Sequence, residues 1–195
     1  MRAHQPVKAD KINKGNTVFD YNIALIGFMG TGKSTVSSYL KEILAMNEVD
    51  VDAMIVKDQN MEIKDIFSTY GEEYFRKCES SAIISLQTYR QSIISCGGGA
   101  VLREENVKNL KKSSRIVLLS ASPETILERV RDSVERPILN GNMNVEFIKE
   151  LMDKRLKYYQ NAADVVIDTD QKDVKQVCEE LIDALIKFDQ ERINQ

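Results

Sequence analysis

Histidine is almost missing from this chain: His4, near the N-terminus, is the only one in 195 residues. Histidine acid–base chemistry and His-ligated metal sites are thereby set aside. Cysteine is scarce as well. Cys78, Cys96 and Cys178 are odd in number and lack metal-ligand spacing, which argues for buried thiols in a reducing compartment rather than a disulfide framework or a zinc site. No stretch approaches the ~20 uninterrupted apolar residues that a membrane helix needs. Residues 1–20 are polar and lysine-bearing, without the apolar middle of a secretion signal; they are expected to form a flexible extension, and the protein is expected to be cytoplasmic. A basic run is also lacking. With 27 basic against 30 acidic residues the formal charge is −3, which speaks against a nucleic-acid surface and requires any anionic ligand to be met by locally placed cations.

What is present is enough for one globular domain, since 43% of the residues are hydrophobic. Its organising stretch is Gly27-Phe28-Met29-Gly30-Thr31-Gly32-Lys33-Ser34, two glycines five apart followed by Lys and Ser. The short apolar run Asn22 to Ile26 precedes it as a buried strand. Apolar residues at helical spacing follow it from Thr35 to Ala45. Strand, glycine loop and helix start together aim backbone N–H groups and a helix dipole at one anion. The expected phosphate contacts are Gly30, Thr31, Gly32, Lys33, Ser34 and Thr35, with Lys33 neutralising the β and γ phosphates and Ser34 ligating Mg²⁺.

One helix later, Met46 to Asp52 reads as a strand. A parallel crossover would return its C-terminal end to the same sheet edge as Gly27. Asp50 and Asp52, two apart, would then point the same way, one holding Mg²⁺ through water and the other reaching a substrate hydroxyl. Two helices, Glu62 to Tyr70 and Glu72 to Tyr89, are separated by Gly71; Arg76 in the second is either a ligand or a surface arginine paired with Glu72 or Glu79. The strand Ser92 to Cys96 runs into Gly97-Gly98-Gly99, where either a ligand or a tight turn brings something close to the backbone. That strand lacks the Asp many P-loop proteins place near Mg²⁺, and Asp50 is the best replacement. A strand at Arg115 to Leu119 and a helix opened by Ser122-Pro123 come next. A Pro/Gly/Asn-punctuated segment around Arg136 follows, then a helix Asn144 to Asn161 with Phe147, Leu151 and Leu156 in its core stripe, a strand Ala163 to Asp168, and a closing helix from Asp173 to Asp189. This alternation argues an α/β fold with a five-stranded parallel sheet flanked by helices.

In this order the pieces resemble the shikimate kinase family from about Asn22 to Lys187. The matching motifs are the glycine loop, Asp50-Val51-Asp52, Gly71-Glu72-x-x-Phe75-Arg76, Gly97-Gly98-Gly99-Ala100, Arg136-Pro137-x-Leu139 and Arg155-x-x-x-Tyr159. The resemblance implies a P-loop kinase that transfers the γ-phosphate of ATP to the 3-hydroxyl of shikimate on the route to chorismate, and a monomer is expected. It further implies one domain over residues 21–190, with a substrate-binding helical insertion at about 53–90 and a lid at about 131–145. By the same resemblance Asp52 holds the reacting hydroxyl, Arg76 and Arg155 grip the substrate carboxylate, and Gly97, Gly98 and Gly99 form a backbone wall. Arg136 is implied as a lid residue on the ATP phosphates, and Arg129 with Lys172 as adenine contacts. Three departures stand out: Val51 where Thr or Ser is usual, no glycine before the Asp-x-Asp segment, and Lys172 where Arg is common. A kinase of another small hydroxy acid such as gluconate and a silent nucleotide-binding module are the competing readings.

Overall fold

The computed structural model describes residues 19–131 and 144–194. Most of the expected N-terminal extension, and most of the expected lid with Arg136, lie outside the described residues. Five strands, β1 (Asn22–Ile26), β2 (Asn47–Asp50), β3 (Ser92–Ser95), β4 (Ser114–Ser120) and β5 (Val165–Asp168), form one sheet in the order β2-β3-β1-β4-β5. All neighbouring pairs are parallel. The helices are α1 (Lys33–Leu44), α2 (Val51–Gln59), α3 (Ile63–Ser85), α4 (Glu104–Lys111), α5 (Pro123–Val130), α6 (Val145–Ala162) and α7 (Val174–Ile193). None of them is long and apolar enough to cross a membrane.

Side chains alternate between the two faces of a strand, and β1 and β4 use both faces. Ile23, Leu25, Val117 and Leu119 pack with Val36, Leu40, Leu181 and Leu185 beneath α1 and α7. Ala24, Ile26, Ile116 and Leu118 pack with Ile55, Ile66, Phe75 and Ile83 beneath α2 and α3. A strand so buried is almost wholly apolar, as β1 is after Asn22. Below the sheet the amide of Asn22, fully buried, donates to Tyr89 O and accepts from Ser92 N. It thereby sets the register of β1 against β3, and with it the heights of the loops that leave them.

Four expectations are corrected. Phe19, placed in the extension, is buried beside the Tyr21 ring, 5.2 Å away, and belongs to the core. The strand expected through Asp52 ends at Asp50. Asp50 caps α2 by accepting Ala53 N–H at 2.9 Å, so Val51 and Asp52 are already helical. Leu156 is 47% exposed, because the side of α6 that is buried carries Ile148, Tyr159 and Ala162. The two helices expected around Gly71 follow each other directly as α3, kinked at Gly71, whose φ of 79° suits a glycine.

Candidate active site

The loop after β1 is shaped by its glycines. A β-carbon on Gly27 would collide with Leu119 O, and one on Gly30 would stand 2.8 Å from Val130 Cγ1. Gly32 differs: at φ 92° it opens α1, and its missing β-carbon faces open space. Thr31 is buried and its hydroxyl donates to Phe28 O at 2.9 Å, closing the loop on itself. No side chain caps α1, so the amides of Ser34 and Thr35 in its first turn are placed to meet an anion. Lys33 Nζ lies over the same loop, donating to Gly27 O and Phe28 O at 2.9 and 3.0 Å. This is an anion cradle with a cation on its rim.

Beside it stand β2 and β3. Asp52 is in the first turn of α2, with Oδ1 buried and without a hydrogen-bond partner among the described residues. A β-carbon on Gly97, just past β3, would lie 2.9 Å from that oxygen. Burial and the neighbouring Asp50 charge push the Asp52 carboxyl above its ordinary value, against the pull of Lys33 and Arg76. Asp50 and Asp52 therefore share one edge, but by a cap followed by a helical turn rather than by strand alternation.

Arg76 comes from α3, one turn past the kink. It is 13% exposed and held by two glutamates of its own helix. Nε and Nη2 donate to Glu72 Oε1 at 3.2 and 3.1 Å, and Nη1 donates to Glu79 Oε2 at 2.8 Å. The guanidinium lies against Gly99, where a β-carbon would come within 2.5 Å of Cζ. Both pairings foreseen for a surface arginine are present, yet the group they hold faces the glycine wall. Glu79 is fully buried, and its Oε1 lacks a hydrogen-bond partner among the described residues. Desolvation raises its pKa, offset by Arg76.

On the other side, α6 presents Arg155 and Tyr159 to Gly98. Tyr159 OH donates to Gly98 O, and Arg155 Nη1 approaches the same oxygen at 3.5 Å. The Arg155 guanidinium lies 5.9 Å from the centre of the Phe28 ring, so α6 also touches the glycine loop. Lys33, Asp52, Arg76 and Arg155 thus surround Gly97, Gly98 and Gly99 at the C-terminal edge of the sheet, where ligands bind in parallel α/β folds.

The far end of the loop meets Arg129 of α5. Its Nη1 donates to Gly30 O and Thr169 Oγ1, at 3.2 and 3.0 Å, and its Nη2 donates to Thr169 O at 2.8 Å. Lys172, expected beside it, is engaged elsewhere: Nζ donates to Glu180 Oε2 at 2.7 Å and to Asp168 O at 3.0 Å. Glu79 and Tyr159 had no site role assigned from sequence. A glutamate three residues after an arginine looks the same on a solvated helix face, and only burial distinguishes Glu79.

A glycine loop between a central parallel strand and a helix, with cations and a buried carboxylate on the same rim, defines a P-loop kinase of small molecules. The family model for shikimate kinase matches residues 29–186, and the chain belongs to the shikimate kinase family. Among curated relatives, the shikimate kinase of Thermodesulfovibrio yellowstonii is 44% identical over 161 residues, covering 83% of this chain and 92% of that protein. That of Caldanaerobacter subterraneus subsp. tengcongensis is 40% identical over 167 residues, covering 86% and 97%. Of the solved structures, Acinetobacter baumannii shikimate kinase in complex with shikimate superposes with a TM-score of 0.80 at 28% identity, covering 86% of this chain and 93% of that one. A Sinorhizobium meliloti gluconokinase, at 15% identity and a TM-score of 0.58, shares the fold alone.

Proposed function

We propose that the chain transfers the γ-phosphoryl group of ATP to the 3-hydroxyl of shikimate, in the cleft bounded by the glycine loop, Asp52, Arg76, Arg155 and the Gly97–Gly99 wall. The observation that carries this reading is the buried, unpartnered Asp52 Oδ1 beside Gly97, in the field of both Lys33 and Arg76. An acceptor-only oxygen kept dry at the rim of an anion cradle suits a hydroxyl that must be oriented and deprotonated. Arg76 against Gly99 and Arg155 at Gly98 O, on neighbouring residues of the wall, suit a carboxylate on the same small molecule.

Phosphoryl transfer asks the protein for in-line positioning and for cations matched to spreading charge. Asp52 orients the attacking oxygen and takes its proton. Lys33, now over the loop carbonyls, exchanges them for phosphate oxygens, and the open face of Gly32 admits the phosphate beside the α1 amides. The resemblance adds Arg136, outside the described residues, as a further cation on the phosphates. The donor set fits Mg²⁺: Asp50 commits one carboxylate oxygen to Ala53 N–H and keeps the other, and Ser34 is exposed at the head of α1. Among the described residues no three His, Cys, Asp or Glu side chains form a metal cage, in keeping with an ion completed by phosphates and water. When bound, Mg²⁺ supplies charge to the β and γ phosphates. Arg129 meets the adenine, while Lys172 stays with Glu180. The helices α2 and α3 form the substrate-binding insertion, and the protein acts as a monomer.

ADP release by the purified protein, measured with shikimate, quinate and gluconate, tests the assignment. Turnover with shikimate well above the other two is expected; preference for another acid would overturn it, and ATP binding without transfer to any acid would point to the silent module.

A further inference from the structure

Across the outside of the substrate cleft runs an ion pair that the catalytic reading leaves unused. Glu73 lies two residues beyond the Gly71 kink and one turn before Arg76, and Arg103 closes the short 3-10 turn (Ala100–Leu102) that follows Gly99. Arg103 Nη2 donates to both carboxylate oxygens of Glu73, at 2.7 Å each. This bridge joins the helix that carries Arg76 to the segment that carries the glycine wall, alongside the contact between Arg76 and Gly99.

We propose that the Glu73–Arg103 pair is a positioning strap that sets the separation of Arg76 from the glycine wall, and so the affinity for shikimate. The inference rests on the reading of Arg76 as a ligand of the substrate carboxylate. Two physical points support it. Gly71, in a conformation only glycine adopts easily, separates Glu73 and Arg76 from the first half of α3, so the pair adds a tie at the cleft end of the second half to the core packing of Phe75 and Ile83. Arg103 also lies close enough to Glu79 for its charge to act there. Glu79 is the buried partner of Arg76, so a freed Arg103 would compete with Arg76 for it, whereas Glu73 holds Arg103 outward. An exposed pair contributes little to global stability; its effect is on geometry.

The test is steady-state kinetics on Glu73→Gln, Arg103→Met, the double variant and the charge swap Glu73→Arg/Arg103→Glu, with thermal melting of each. The expected result is a rise in shikimate KM of about three- to tenfold in each single variant, with ATP KM and kcat held within about twofold. The double variant should be no worse than the poorer single, and the swap should recover most of the loss. Unchanged shikimate KM in the singles, strictly additive losses, or a swap without recovery would overturn the strap and leave an ordinary surface ion pair. Arg76→Ala measured alongside separates the two ideas. If it leaves shikimate KM unchanged, the carboxylate reading has failed; if it raises KM while the strap variants do not, only the strap has.

Discussion

Asp52 and Glu79, from different helices, aim their unpartnered carboxylate oxygens at one spot: the place where a β-carbon on Gly97 would project lies 2.9 Å from Asp52 Oδ1 and 3.0 Å from Glu79 Oε1. Gly97 thus keeps space open between the buried Glu79 and the buried oxygen of Asp52. Gly97→Ala is expected to lower kcat/KM for shikimate at least about tenfold and to destabilise the fold by about 1–3 kcal/mol through overpacking, with ATP KM little changed. Kinetics and melting of the variant check both.

Asp52→Asn removes the base and keeps the shape. A fall in kcat of about two to four orders of magnitude is expected, without loss of fold. The stability effect has a definite sign. The carboxyl has a higher pKa in the folded state than the ordinary 3.8, so ionisation is costlier when folded, and stability falls as pH rises through the unfolded value. The Asn variant should therefore melt above the wild type at neutral pH, and the gap should close as pH falls below about 4. A variant that melts lower at neutral pH would contradict the placement of that charge.

The same raised pKa sets the acid limb of activity. Asp52 keeps its proton to a higher pH than an ordinary aspartate, so kcat/KM for shikimate should decline on acidification before the usual aspartate range is reached. A profile flat down to that range, measured at saturating ATP, would rule Asp52 out as the group that must be ionised.

Arg76 has two tasks, and they can be separated. Arg76→Ala should raise shikimate KM more than about tenfold. It should also cost about 3–5 kcal/mol of stability by stranding the buried Glu79 carboxylate, unless Glu79 takes up a proton. Adding Glu79→Gln should restore the melting temperature and leave KM high. Recovery of KM in the double variant would show that Arg76 acts only by neutralising Glu79.

At the adenine end, Arg129→Met should raise ATP KM several-fold, about 1 kcal/mol of lost contact. Lys172→Met should leave ATP KM within about twofold, because its ammonium is already held by Glu180 and Asp168 O. The reverse order of effects would return Lys172 to the nucleotide.

Much of the sheet was legible because buried parallel strands such as β1 and β3 are short apolar runs closed by glycine, a pattern with few other readings. The loop from Gly27 to Ser34 was legible because its residue types are fixed by steric and charge needs. The Asp50-Val51-Asp52 geometry was not: the same letters suit a strand end or a capped helix, and the buried Val51, now in the core beside Ile55, supports the helix only once its neighbours are known. Glu79 was hidden for a related reason, since spacing reveals a possible partner for Arg76 but not the absence of water around it. The exposure of Leu156 and the turn of Lys172 toward Glu180 likewise depend on how α6 and α7 lie on the sheet, which local periodicity does not report.

The central claim is that one cleft holds the carboxylate of shikimate while Asp52 holds its hydroxyl. The most direct test is the ratio of kcat/KM for shikimate over its methyl ester, in the wild type and in Arg76→Ala. The account predicts a ratio of at least about tens in the wild type, falling toward unity in the variant. A wild-type ratio near unity, or a large ratio that Arg76→Ala leaves intact, would contradict it.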